Sequence, residues 1–190
     1  MVKLIYATIK NLKGGGSLKP INNIKELQKS LRQKLAVICY AVNEFDEVLL
    51  LERKKEPFAG KLVPPGGKVE PGEKVYSAVF REFFEETGLK LNSPEIKVVT
   101  TEIGPEHYNW ILFIFKDKIK KDRVNHSAEG ELRWVKRSRL NNENLSDIDK
   151  KIIPYIFEKK GVYLFEIEYN TDKEATITSI ERCKLDILSL

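Results

Sequence analysis

The chain has 190 residues, of which 42% are hydrophobic, a size that supports one main domain but hardly two full ones. Lysine and arginine number 33 against 28 acidic residues, and the formal charge of +5 suits small anionic substrates, without the dense basic blocks of a nucleic-acid-binding arm. Cys39 and Cys183 lie far apart, and no apolar run approaches the roughly 18 residues of a membrane span, which argues against a disulfide framework, a zinc site and a membrane protein.

The first 34 residues are predicted to form an N-terminal extension, ahead of a main domain over residues 35–190. Within the extension, LIYATI is typical of a short strand and NIKELQKSLRQ of a helix, with a flexible GGGS sequence between them. Neither piece carries a chemical motif, so the role of the extension is left open.

Two apolar, β-branched runs begin the main domain, and the NEFD sequence between them predicts a turn that pairs them. A loop rich in proline and glycine, PFAGKLVPPGGK, leads into a helix over about residues 73–87, which Gly88 is placed to end. A second helix is predicted over about residues 147–158, despite Pro154. This irregular order of strands and helices predicts an α+β fold, an α/β/α sandwich around a mixed sheet with a C-terminal strand pair. The predicted strands are 35–42, 47–54, 96–103, 108–115, 130–136, 161–169 and 175–182.

The helix over residues 73–87 changes along one stripe from apolar to acidic. At about 100° per residue, Val79 falls on the same stripe as Glu82 and Glu86. Phenylalanines cover most of the other side, so we expect this helix to be enclosed on both sides. These are Phe80, Phe83 and Phe84.

Three glutamates of this helix lie within one turn of each other. Glu82, Glu85 and Glu86 stand at i, i+3 and i+4, where like charges repel unless a cation lies between them. Converging carboxylates beside a PPGGK loop are typical of a hard-cation site, which favours Mg²⁺, with Mn²⁺ as a close substitute. The alternative is a solvated charge run neutralised by Arg81 and nearby lysines.

The spacing from Gly67 to Glu73, and from there to REFFEETGL at residues 81–89, resembles the Nudix box at every defined position. The resemblance extends over about residues 35–152 and implies a Nudix hydrolase, an enzyme that cleaves a nucleoside diphosphate linked to another group. A non-catalytic module that binds nucleotides or RNA is the alternative of another class. A degenerate box would favour that module, whereas this box is intact.

The resemblance also implies roles for the residues of the box. Glu82, Glu85 and Glu86 would be metal ligands, together with the carbonyl of Gly66, and the flexible main chain at Gly67 would face substrate phosphate. Arg81 and Glu73 would orient the ligating carboxylates from behind.

The general base is left open by the sequence. Glu82 is the candidate within the box, and Glu129 and Glu131 are candidates on a later segment. We favour Glu129 because it lies beside Gly130 in a predicted loop, whereas Glu131 falls at the start of a predicted strand.

The substrate is predicted from the C-terminal part of the chain, which resembles MutT-type enzymes that clear oxidised purine nucleoside triphosphates. Asp149 falls near the position from which a polar side chain reads the purine edge, although SDID is equally typical of a helix N-cap. The products would be a monophosphate and pyrophosphate, as for an 8-oxo-dGTP diphosphatase. The alternative is an ADP-ribose pyrophosphatase, because Pro105 lies close to where ADP-ribose-specific members carry a proline.

The expected partner is a small-molecule nucleotide, with no membrane and no stable nucleic acid partner, in a cytoplasmic setting. The net positive charge and the unassigned N-terminal extension leave a homodimer contact open.

Overall fold

The computed structural model describes residues 33–55, 59–105, 108–124, 127 and 129–183. The strand and helix predicted within the N-terminal extension lie outside these residues. The separation of the extension from the main domain therefore stays a prediction.

The predicted strands and helices of the main domain are confirmed, each within a few residues of its expected bounds. Two short strands in the PFAGKLVPPGGK loop and one 3₁₀ helix were not predicted. No helix among the described residues is long and apolar enough to cross a membrane. The elements are β1 (Lys34–Val42), β2 (Glu47–Arg53), β3 (Leu62–Val63), β4 (Gly66–Lys68), α1 (Val75–Thr87), β5 (Glu95–Gly104), β6 (Tyr108–Lys118), β7 (Gly130–Lys136), the 3₁₀ helix (Arg137–Asn142), α2 (Asp147–Phe157), β8 (Tyr163–Tyr169) and β9 (Ala175–Arg182).

The nine strands of the described residues form one mixed sheet in the order β3-β2-β1-β6-β5-β8-β9, with β4 paired to β1 and β7 paired to β2. Strands β1 and β6 are parallel, as are β5 and β8, and the remaining pairs are antiparallel. The predicted hairpin of β1 and β2 is only partly right. The two strands pair at Val42 and Val48, but β1 then pairs with β4 over residues 36–38, while β2 pairs along its length with β7. This edge of β1 therefore pairs with the glycine loop instead of with β2.

The two helices lie on different faces of the sheet, which confirms the α/β/α sandwich. Alternate residues of β1 belong to different cores, because successive strand side chains point to opposite faces. Val37 and Cys39 pack in the core that α1 completes, and Tyr40 in the core that α2 completes. Both faces of β1 are buried, which explains why its sequence is continuously apolar.

The helix α1 is covered on one side only, and the prediction that phenylalanines enclose its other side is wrong. Phe83 is fully buried with Val79, whereas Phe80 and Phe84 are 41% and 49% exposed. Phe80 and Phe84 stand at i and i+4 on an exposed stripe of the helix, and Tyr76, whose ring also packs edge-on against Phe115 of the sheet, continues that stripe. Glu82 and Glu86 are therefore half-buried by the sheet and the glycine loop, not by a second aromatic layer, whereas Glu85 is exposed.

Helix α1 ends at Gly88, as the sequence predicts. Gly88 has a left-handed φ of 74°, and its N–H donates to the carbonyl oxygen of Phe84 at 2.8 Å. This closure fixes the last turn of the helix, which carries the acidic run.

Candidate active site

The guanidinium of Arg81 is the centre of the acidic cluster. Its Nε and Nη2 donate to the two carboxylate oxygens of Glu73 at 2.9 and 2.8 Å, and Nη1 donates to Oε1 of Glu82 at 2.8 Å. Weaker bonds reach Glu85 at 3.3 Å and the carbonyl of Lys68 at 3.1 Å. One side chain thus ties the loop before the helix to the carboxylates on the helix, as the prediction for Arg81 and Glu73 requires.

The ion pairs around Arg81 are not those of a freely solvated charge run. The side chains of Glu73 and Glu82 are only 16% and 17% exposed. Hydrogen bonds from Arg81 and from the N–H of Glu70 lower the pKa of Glu73 to about 2, and the two carboxylates raise the pKa of Arg81. Glu73 and Arg81 are therefore both ionised throughout the neutral range, and the guanidinium that Glu73 holds through two hydrogen bonds orients Glu82 through a third.

The two glycines of the loop each allow a close approach that a side chain would block. A Cβ at Gly66 would collide with the carbonyl oxygen of Val37, and a Cβ at Gly67 would collide with the carboxylate of Glu82. The N–H of Gly66 donates to Oε2 of Glu86 at 2.9 Å. The loop main chain and the helix carboxylates are therefore in direct contact.

The side chain of Glu86 lies in a negative field. Burial is the largest effect that raises its pKa to about 7, the charges of Glu129 and Glu82 raise it further, and the N–H of Gly66 and the charge of Arg53 oppose them. Two further carboxylates, from two segments of the chain, thus act electrostatically on Glu86. A cation bound there would relieve their repulsion.

Within the described residues, no three acidic, histidine or cysteine side chains form a ready metal cluster. The reason is that Glu82 and Glu85 turn towards Arg81, while Glu86 accepts from the loop. The chemistry of the donors nonetheless fits Mg²⁺, because all are oxygens and the loop beside them has no Cβ in the way. Glu85 is the most exposed of the three, at 59%. The ligand roles of these glutamates and of the Gly66 carbonyl stay predictions.

The two later candidates for the base differ in position. Glu129 precedes β7, and its carboxylate accepts from Nη1 of Arg53 at 3.3 Å. Glu131 lies within β7, where it pairs with Glu52 and is exposed to solvent. Glu129 thus lies in a bend before the strand, as expected, and its charge acts on Glu86, while its catalytic role stays a prediction.

Asp149 lies in the first turn of α2, on a different element from the acidic cluster. Ser146 is the N-cap, since its hydroxyl accepts from the N–H of Asp149 at 3.1 Å, and so the N-cap alternative is confirmed for Ser146. The Asp149 carboxylate itself accepts from the hydroxyls of Ser146 and, at 3.4 Å, of Tyr40. Burial raises the pKa of Asp149, which favours its protonated form relative to an exposed aspartate.

The sequence did not indicate Arg53 or Tyr40 as neighbours of candidate site residues. Arg53 reaches Glu129 because β2 pairs with β7, and Tyr40 reaches Asp149 because α2 packs over β1. The only sequence feature that could have drawn attention to Arg53 is its position as a cation at the end of the apolar strand β2. No sequence pattern gives the pairing of β2 with β7.

Comparison with known proteins decides the family. The family model described as the NUDIX domain matches residues 32–156. The chain belongs to the Nudix family. It is a Nudix hydrolase, a pyrophosphohydrolase acting on nucleoside diphosphate derivatives, and its box is the one formed by α1 and the loop before it.

The chain has similar relatives in bacteria, animals and archaea, and some of them are named by activity. The chain is 34% identical to the uncharacterised Nudix hydrolase YvcI of Bacillus subtilis, over 68% of this chain and 83% of YvcI. It is 39% identical to the human 8-oxo-dGDP phosphatase NUDT18 over 54% of this chain, and 44% identical to an ADP-ribose pyrophosphatase of Methanocaldococcus jannaschii over 42% of this chain. These matches span only 34% and 48% of the two relatives.

A solved structure with a similar fold is that of a mutator MutT protein from Bacillus halodurans. The two chains are 31% identical, with a TM-score of 0.67 over 78% of this chain and 96% of the other. The likeness confirms the mixed sheet with helices on both faces and supports a MutT-like member of the family.

Proposed function

We propose that this Nudix hydrolase cleaves an oxidised purine nucleoside triphosphate to the monophosphate and pyrophosphate, as an 8-oxo-dGTP diphosphatase does. The observation that carries the proposal is a juxtaposition along β1. Ile38 pairs with Gly66 of the box loop, and Tyr40, two residues further on, donates to Asp149. A candidate for phosphate chemistry and a candidate for base recognition are therefore reached from one short stretch of strand.

Glu82, Glu85, Glu86 and the carbonyl of Gly66 are the groups that would hold Mg²⁺, which when bound neutralises phosphate charge and lowers the pKa of water. The chain itself orients these groups. Arg81 and Glu73 hold the carboxylate of Glu82, and the N–H of Gly66 holds that of Glu86. We assign to Glu129 the acceptance of the proton from the water that attacks phosphorus.

Asp149 would read the purine. An ionised carboxylate accepts from the N–H groups of a guanine-like edge, and a protonated one donates to a carbonyl oxygen. The raised pKa of Asp149 favours the second mode in the free protein. The similarity to NUDT18, which is named for an oxidised guanine diphosphate, supports this class of base and requires that the diphosphate be tested beside the triphosphate.

ADP-ribose hydrolysis is the second candidate function, and two observations favour it. Pro105 directly follows β5, close to where ADP-ribose-specific members of the family carry a proline, and its carbonyl accepts from the N–H of Tyr108 at 3.0 Å. The archaeal relative named as an ADP-ribose pyrophosphatase matches part of this chain.

The deciding experiment is a Mg²⁺-dependent hydrolysis screen with identified products. The substrates are ordinary and 8-oxo guanine nucleotides as diphosphates and triphosphates, ADP-ribose, and a dinucleoside polyphosphate. We expect 8-oxo-dGTP to give the highest kcat/KM, with the monophosphate and pyrophosphate as products. If ADP-ribose is cleaved far faster, to AMP and ribose 5-phosphate, the proposal gives way to the second candidate.

A further inference from the structure

Arg53 is held beside Glu129 by the pairing of β2 with β7. In that register Arg53 lies opposite Gly130, and the N–H of Lys54 donates to the carbonyl of Glu129 at 2.9 Å. Gly130 has no space for a side chain, since a Cβ there would collide with the carbonyl oxygen of Glu52. The main chain of Glu129 is therefore fixed at the end of β2, next to the Arg53 side chain.

The side chains of this pair differ in how firmly they are held. Nη1 of Arg53 lies 3.3 Å from Oε2 of Glu129, and the Arg53 side chain is 23% exposed against 52% for Glu129. The guanidinium is thus the more enclosed of the two groups. The Glu129 carboxylate is more exposed to solvent, and without the guanidinium nothing else in this pair would hold its orientation. A glutamate with free torsions samples several rotamers, and one charge-assisted bond restricts them.

The Nε of Arg53 is also a buried donor with no acceptor among the described residues. Buried donors in proteins are normally satisfied, by water or ligand oxygen if not by protein. This leaves two physical readings of Arg53. It either acts through the carboxylate it contacts, or it contacts an oxygen of the substrate directly.

We propose that Arg53 is a positioning residue that holds the Glu129 carboxylate in the orientation from which it accepts the proton. The inference rests on the proposed function, because it assumes hydrolysis with Glu129 as the base. The side-chain bond that the structure shows for Arg53 is to Glu129, and the main-chain anchor at Lys54 brings that residue to Arg53 independently of any ligand. An exposed ion pair contributes at most about 1 kcal/mol, so loss of the guanidinium should lower kcat about fivefold.

The test is a double-mutant cycle with kcat and KM measured separately, using Mg²⁺ and whichever nucleotide the wild-type protein cleaves fastest. Arg53→Met should lower kcat about fivefold with KM unchanged, Glu129→Gln about 10²-fold, and the double variant no further than Glu129→Gln alone. Arg53→Lys should recover most of the loss. Arg133→Met is the matched control: Arg133 lies on β7 of the same strand pair, forms an ion pair with Glu143 after the 3₁₀ helix, and should leave kcat unchanged when replaced.

Three results would overturn the assignment. Losses that multiply in the double variant would show that Arg53 acts independently of Glu129. A raised KM with unchanged kcat in Arg53→Met would make it a substrate contact, and a neutral Glu129→Gln would leave Arg53 nothing to position. Failure of the proposed function is a separate outcome, because the wild-type protein would then cleave ADP-ribose far faster than any nucleoside triphosphate.

Discussion

Replacing each glycine of the box loop by alanine should separate catalysis from folding. At Gly67 the new methyl group would meet the end of the Glu82 side chain, and at Gly66 it would meet the main chain of Val37. A side-chain carboxylate can swing away at little cost, whereas the strand main chain is fixed by pairing between β1 and β4. The same substitution at adjacent positions therefore strains two different parts of the molecule.

The expected magnitudes follow from what has to move. In Gly67→Ala, the displaced carboxylate loses the 2.8 Å bond from Arg81 and shifts by about 1 Å, which can lower kcat/KM by about 10²-fold. Its unfolding free energy should stay within about 1 kcal/mol of wild type. In Gly66→Ala, overpacking against main chain should cost about 1–3 kcal/mol of stability.

The assay is Mg²⁺-dependent kcat/KM for each variant, with urea unfolding of the same samples. Wild-type kcat/KM in Gly67→Ala would refute the reasoning, since the Glu82 carboxylate would then not need its position. Equal loss of stability in the two variants would also refute it, because Glu82 would then not be the group that yields.

Four further outcomes are expected. Excess chelator should abolish hydrolysis, and Glu86→Gln should lower kcat by about 10² or more at an unchanged fold; full activity in chelator would contradict the metal site. Glu129→Gln should lower kcat about 10²-fold with a modest change in KM, while Glu131→Gln is mild, and small equal effects would return the base to the box. Asp149→Ala should lose the preference for the oxidised over the ordinary guanine nucleotide while cleavage persists, and a retained preference would place base recognition elsewhere. Because the pKa of Asp149 is raised above its ordinary 3.8, the folded protein keeps a proton that the unfolded chain releases. The contribution of Asp149 to the unfolding free energy should therefore fall as the pH rises from about 4 through the folded-state pKa, and the slope in urea unfolding should be shallower in Asp149→Asn, where the raised pKa of Glu86 still contributes.

The parts of the site that lie within one stretch of sequence could be predicted from it. Glu73, Arg81 and Glu82 are brought together by the helix period and one preceding turn, so spacing alone places them. The closeness of Gly66 and Gly67 to the helix glutamates could be predicted for the same reason, because the loop shortly precedes the helix in sequence. The contact of Gly66 with Glu86 follows from the same short range of chain.

The parts that depend on strand register could not be predicted. Arg53 and Glu129 are 76 residues apart, and Tyr40 and Asp149 are 109 apart. Their contacts require the pairing of β2 with β7 and the packing of α2 on β1, neither of which leaves a periodic signal. The exposed Phe80 and Phe84 are the opposite case, in which a periodic apolar pattern predicted burial but the sheet covers only one side of α1.

The bonds of Arg81 determine how the site should respond to loss of metal. Its guanidinium joins Glu73, which precedes the helix, to Glu82 on the helix, and both bonds form between groups of the chain alone. The N–H of Gly66 holds Glu86 in the same way. Because these contacts need no cation, removing the metal should not unfold the loop or the helix. Adding Mg²⁺ back to chelated protein should therefore restore hydrolysis without a refolding step, since the only rearrangement needed is the turning of carboxylates towards the ion.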